Sequence, residues 1–177
     1  MANWEELEND LIIFFLSVDG THCPIQEPQP YDKKWFSSKL NGPGVNYEIG
    51  LKIYKSELLW VNGPFPCGEL NDIKTFRLKG LKDKIPIGKR VIADKGYRGE
   101  PDLISTENKD FDERELAEFK ERVTSRHESF NKRIKVFRCL TTPCRHGVDF
   151  HGILFRACCV IICYEMENGS PLFDPYP

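Results

Sequence analysis

The chain has 177 residues, 40% of them apolar and 29% charged, with 25 Lys and Arg against 27 Asp and Glu. At roughly 100–200 residues per domain this is one domain, or most of one, apolar enough to bury ~70% of the surface its unfolded chain exposes. That balance excludes a disordered polyelectrolyte, and a net charge of −2 excludes a uniformly basic nucleic-acid binder.

Residues 11–18 (LIIFFLSV) form a continuous β-prone run, which predicts a strand buried on both faces and ending at the turn signal Asp19-Gly20. Residues 23–46 are rich in Pro, Gly, Asn and Lys and read as an irregular excursion. Alternation over residues 47–54 sets Tyr47, Ile49, Leu51 and Ile53 against Glu48, Gly50 and Lys52. With residues 58–61 this predicts a hairpin closed at Asn62-Gly63-Pro64. A short helix is expected over residues 69–79 and a second buried strand over residues 90–93 (RVIA), which ends at Asp94. A long helix is expected from Asp110, whose pairing with Glu113 is a capping-box pattern. Its apolar stripe runs Leu116, Phe119, Val123, Phe130, Ile134, Phe137, with His127 at helical spacing between them. After Thr142-Pro143 a last helix covers roughly residues 150–168, with Gly169 as its C′ residue. Strands, a hairpin and late helices in this order predict an α/β fold: one mixed sheet flanked by helices.

Charge is segregated along this order. Residues 1–32 hold seven acids and no Lys or Arg, whereas residues 120–146 hold eight bases and two acids. Such asymmetry points to a polyanion-binding surface in the second half, although a solvated helix face carries the same pattern. No secretory signal is read: residues 11–16 are apolar for only six positions and follow acids. The apolar stretch 152–166 is too short for a bilayer and carries Arg156 and Glu165, so no membrane role is expected. Seven scattered cysteines suggest reduced thiols in an intracellular compartment. Cys139, Cys144, His146 and His151 fit no standard zinc-finger spacing, and the cysteines read better as buried thiols.

The chemistry-bearing residues are carboxylates. Asp19 and Asp94 each end one of the most buried strand runs, and adjacent strand ends in an open α/β sheet form one crevice. Carboxylates brought together there repel unless a cation or proton intervenes. Glu128 stands alone in the basic run Arg126-His127-Glu128-Ser129-Phe130-Asn131-Lys132-Arg133, beside the buried stripe of the long helix. Each acid also has an ordinary structural use: a turn cap for the two aspartates, an i,i+4 pair with Lys132 for Glu128. Three hard oxygen ligands suit Mg²⁺ or Mn²⁺, and two such ions can drive an in-line phosphodiester displacement while nearby bases hold the nucleic-acid backbone.

The segments Ser17-Val18-Asp19-Gly20-Thr21-His22, Trp60-Val61-Asn62-Gly63-Pro64-Phe65-Pro66, Ala93-Asp94-Lys95-Gly96-Tyr97-Arg98-Gly99 and Arg126-His127-Glu128…Lys132, with 34 residues from Asp94 to Glu128, resemble the DDE-superfamily endonucleases. More narrowly they resemble PIF/Harbinger-type transposases, over about residues 10–174. The resemblance implies a ribonuclease-H-like fold in a single domain over 1–177. It implies a two-metal DNA endonuclease and strand transferase using Mg²⁺ or Mn²⁺, with Asp19, Asp94 and Glu128 as catalytic metal ligands. Asp72, in Asn71-Asp72-Ile73, matches a further acidic position sometimes counted as a ligand. Lys95, Arg98, Arg122, Arg126 and Lys132 are the expected DNA contacts, with smaller contributions from Arg133 and Lys135. The implied partners are DNA (transposon ends and target), a separately encoded DNA-binding protein and a second copy of the chain; the implied location is the nucleus. The helix-turn-helix region expected upstream in complete transposases is not seen before Trp4. A domesticated, non-catalytic DNA- or protein-binding domain is the alternative.

Overall fold

A computed structural model describes residues 13–106 and 113–176. In chain order it forms β1 (Phe14–Pro24), β2 (Phe36–Ser37), β3 (Gly42–Lys52), β4 (Leu58–Pro66), α1 (Asp72–Leu78), β5 (Arg90–Ala93), β6 (Ile104–Thr106), α2 (Arg114–Ile134), α3 (Arg138–Thr141) and α4 (Val148–Glu167). The strands make one mixed sheet in the order β2-β3-β1-β5-β6, with β4 also pairing with β3. β1, β3 and β4 are antiparallel to one another in turn, whereas β5 and β6 run parallel to β1. Helices cover both faces, giving the α/β architecture expected from the element order.

Two of the three core clusters are divided by the sheet. On one face Val45, Tyr47, Ile49 and Leu51 of β3 pack with Phe130 and Ile134 of α2 and Phe155, Cys158, Cys159 and Ile162 of α4. Tyr47 and Phe155 stack with centroids 3.7 Å apart. On the other, Leu16 and Val18 of β1 and Val91 of β5 meet Phe76 of α1 and Tyr97. A third, small group joins Val123 of α2 to Ile92 and Ile53.

Several expectations are corrected. Asp19-Gly20 is not a turn. β1 continues to Pro24, because Gly20 stays extended opposite Glu48 of β3. The stretch read as irregular contains β2 and the start of β3, and β4 runs through Asn62-Gly63-Pro64 to Pro66. β6 has only three residues, too few to show a period. The long helix ends at Ile134 instead of Phe137. Asp110 and residues 11 and 12 of the first expected strand lie outside the described residues. Gly169 has φ +109°, as its place after α4 requires. All seven cysteines are free. Of the possible zinc ligands, His151 is instead bonded through Nδ1 to the Tyr47 hydroxyl at 2.7 Å. Among the described residues no helix is long and apolar enough to cross a membrane.

Candidate active site

Parallel pairing of β1 with β5 sets Val18 opposite Ala93, so the next residues lie side by side: Asp19 within β1 and Asp94 just past the end of β5. α2 crosses above them. Its buried positions Val123, His127 and Phe130 face the sheet, and the turn between them brings Glu128 to Asp19 and the end of β5. Asp19, Asp94 and Glu128 thereby line one small cavity of about 70 Å³, with Ser17, Thr124 and His127. The helix, not a strand, carries the third acid because its i, i+3, i+4 spacing can dip one edge toward the sheet.

Asp72 enters from the opposite side. It is the first residue of α1, capped by Asn71, whose side chain accepts from the Lys74 N–H. Two glycines make its approach possible. A Cβ at Gly20 would lie 2.6 Å from Asp72 Oδ1; one at Gly96 would lie 2.7 Å from Asp72 Oδ2 and 2.9 Å from Asp94 Oδ1. The Asp72 and Asp94 carboxylates thus share the space that a side chain at position 96 would fill. Asp94 Oδ1 accepts the Gly96 N–H at 2.7 Å. Asp19 Oδ1 accepts the Gly20 N–H at 2.7 Å, and its Oδ2 accepts Asn131 Nδ2 at 2.8 Å.

The electrostatics follow from burial and crowding. Burial pushes the Asp19 carboxyl up to about 6; the charges of Asp94 and Asp72 add to this, while the Gly20 N–H and Lys39 oppose it. Burial and Asp94 likewise raise Asp72, against Lys39 and the Asn46 side chain. Behind them Glu48 is fully buried and pushed up to about 7, chiefly by burial, with Asp72 adding and the Trp60 N–H opposing. His127 is held neutral, its pKa lowered to about 3 by burial and by Arg126. Its Nδ1 lies 2.9 Å from Ser17 Oγ, and its Nε2 is buried without a partner.

Crowded carboxylates whose charge is opposed by burial are a donor set for a hard cation. The fit is one of chemistry and placement: oxygen donors from Asp19 of β1, Asp72 of α1 and Glu128 of α2 approach Asp94 at the end of β5 from both faces. Among the described residues no three His, Cys, Asp or Glu side chains stand close enough to chelate an ion as they are. Backbone N–H groups satisfy Asp19 and Asp94 separately.

The expected DNA contacts divide sharply. Arg126 is buried, and its guanidinium donates to the carbonyls of Lys52 (2.8 Å), Lys55 (2.7 Å) and Phe173 (2.9 Å). It ties the end of β3 and the C-terminal tail to α2 and is not available to a phosphate, which corrects its expected role. Arg133 is similarly engaged with the carbonyls of Ser170 and Pro171, and Lys135 with His22 O and Cys23 Sγ. Arg122 lies in a groove with Glu115, Glu118 and Glu121, a poor place for a polyanion. Lys95, Arg98 and Lys132 are exposed. Lys39, on the turn between β2 and β3, is also exposed and acts on both Asp19 and Asp72. It was not anticipated, because a Lys in an irregular segment carries no sequence signal. Asn131 and Glu48 were not assigned either. Helical spacing from Glu128 could have found Asn131, whereas nothing in the alternation of β3 shows that the Glu48 face is covered.

Residues 18–162 match the family described as DDE superfamily endonuclease, and the chain belongs to that family. It is 25% identical over 164 residues to a protein of Microchaete diplosiphon described as "Probable transposase for insertion sequence element IS702". That match covers 84% of this chain and 56% of the relative, so the chain spans little more than half the length of the curated relative it matches. No solved structure matches the chain.

Proposed function

We propose that the chain is the catalytic domain of a transposase, of the PIF/Harbinger type, that cuts DNA and joins strands with the help of two divalent ions, Mg²⁺ or Mn²⁺. The observation that carries this is the convergence of Asp19, Asp94 and Glu128 on one cavity at the end of β5, with Asp72 brought to Asp94 through two glycine gaps. Asp19, Asp94, Glu128 and Asp72 would hold the ions, which supply activation of the attacking oxygen and charge neutralisation at phosphorus. In hydrolysis a water oxygen bonds to phosphorus as the bond to the 3′-oxygen breaks. In strand transfer the released 3′-hydroxyl oxygen bonds to the phosphorus of a second phosphodiester as that phosphorus loses its own 3′-oxygen, which leaves as a hydroxyl with the proton the nucleophile gives up. Asp19 and Asp94 orient the attacking group from the sheet, Glu128 closes the site from α2, and neutral His127 keeps one wall of the cavity uncharged. Lys95, Arg98 and Lys132, joined by Lys39, hold phosphates on either side of the scissile bond. Transposon ends and target DNA are the substrates, with a separate DNA-binding protein supplying sequence recognition and the nucleus as the place of action.

The test is strand cleavage of supercoiled DNA in Mn²⁺. Asp19→Asn, Asp94→Asn and Glu128→Gln are each expected to abolish nicking. Their melting temperature in EDTA should be unchanged or raised, because neutralising one member of a repelling cluster relieves it. Variants that nick like the parent chain but lose about 0.5–2 kcal/mol of stability would show that the acids are only caps.

A further inference from the structure

α2 is fastened to β1 by a row of polar contacts, the first two of which follow matching repeats. One helical turn of four residues advances about 6 Å, and two residues of a strand advance about 6.6 Å. His127 therefore meets Ser17 and Asn131, four residues on, meets Asp19, two residues on; the longer side chain of Lys135, four further, reaches His22 and Cys23, three and four residues past Asp19. Asn131 is the middle rung, with a fixed contact on either side.

The chemistry of the pair sets its direction. An ionised carboxylate only accepts, so the amide of Asn131 must present its NH₂ group to Asp19. Its Oδ1 is left buried and without a partner. One donor then sits on each Asp19 oxygen: the Gly20 N–H on Oδ1 and Asn131 Nδ2 on Oδ2. Held at both oxygens, the carboxylate cannot rotate, yet each oxygen keeps a lone pair for a further ligand. Asn131 also lies one turn beyond Glu128 on the same helix edge, so the contact that fixes Asp19 also fixes the distance between β1 and the element carrying Glu128.

We propose that Asn131 is a positioning residue. It sets the plane of the Asp19 carboxylate and its spacing to Glu128, so that a divalent cation meets a preformed pair of ligands. The inference rests on the reading of Asp19 and Glu128 as cation ligands.

The test uses the intact chain with Mn²⁺ alone as probe, free ion being followed by its electron paramagnetic resonance signal. Asn131→Leu, close in volume, should fold and bind Mn²⁺ about 10–100-fold more weakly, the loss typical when a partner that orients a ligand is removed. Asn131→Gln, which keeps a donor, should recover part of the affinity, and Asn131→Ser, too short to reach, should match Leu. In DNA cleavage the same loss should fall on kcat, with KM for DNA unchanged. In EDTA the thermal destabilisation caused by Asn131→Leu should shrink in an Asp19→Ala chain, since the two residues act as a pair. Parental Mn²⁺ affinity in both Asn131→Leu and Asn131→Ser would overturn the inference, as would an equal destabilisation with and without Asp19. If Asp19→Asn itself left Mn²⁺ affinity unchanged, the ligand reading would fall first and the positioning role with it.

Discussion

Glu48 shows what a single buried carboxyl does to this fold. It is opposite Gly20 across the β1–β3 pair; its Oε2 accepts the Trp60 Nε1–H at 2.9 Å, and its Oε1 is buried without a partner. Burial raises it from 4.5 to about 7, so between those values the folded chain holds a proton that the unfolded chain has released. Stability contributed by this group is therefore full below pH 4.5 and declines as pH rises to about 7. Glu48→Gln should remove that decline. Urea unfolding should find the variant more stable than the parent chain at pH 8 by on the order of 1–3 kcal/mol, with the difference closing near pH 4. Parallel stability curves would mean that Glu48 is ionised in the fold like any surface acid.

Among the elements, α2 carries most of the argument. Its run of bases pointed to a polyanion surface, but charge in a sequence does not reveal which guanidinium groups find carbonyls. Arg126→Met keeps the packed stem and removes the fork that holds Lys52, Lys55 and Phe173. It should cost about 2–4 kcal/mol, because buried carbonyls lose a charged donor. The salt dependence of DNA binding should not move, and a flattened salt dependence with unchanged stability would return Arg126 to the DNA surface. What α2 did make legible was its inner face. The stripe from Val123 through His127 and Phe130 to Ile134 is buried as its spacing required, and the same geometry places Glu128 at the cavity. The strands were legible where alternation or a continuous apolar run was long, as in β3 and β1. β1 ran past its expected end because a glycine between a strand and a His-Cys-Pro segment looks like a turn until a partner strand is present. β6 was unreadable at three residues, and the Asp72 approach needed two glycines far apart in sequence to be seen as one gap. Alternation in β3 assigned Glu48 to a face but could not tell that Trp60 and α1 cover it.

At the scale of the molecule, the antiparallel half of the sheet, β3 and β4 with α4, forms the larger core, and the parallel pair β1–β5 presents the acids at one end. Among the described residues, Lys39, Lys95, Arg98 and Lys132 are exposed. Lys132→Ala should weaken binding about equally across DNA sequences and lower the slope of log affinity against log salt by about 1. Arg122→Ala, in its acidic groove, should leave the slope unchanged. Loss of binding to one sequence alone would instead make Lys132 a base-reading residue.

The most direct measurement is the anomalous diffraction of a crystal soaked in Mn²⁺. The expected result is manganese at the end of β5, bound by Asp94 together with Asp19 or Asp72 and reached by Glu128 from α2, and absent in Asp94→Asn. Manganese bound only elsewhere on the surface, with Asp19 still capped by Gly20 and Asn131 and Asp94 by Gly96, would contradict the assignment of these carboxylates as a metal centre.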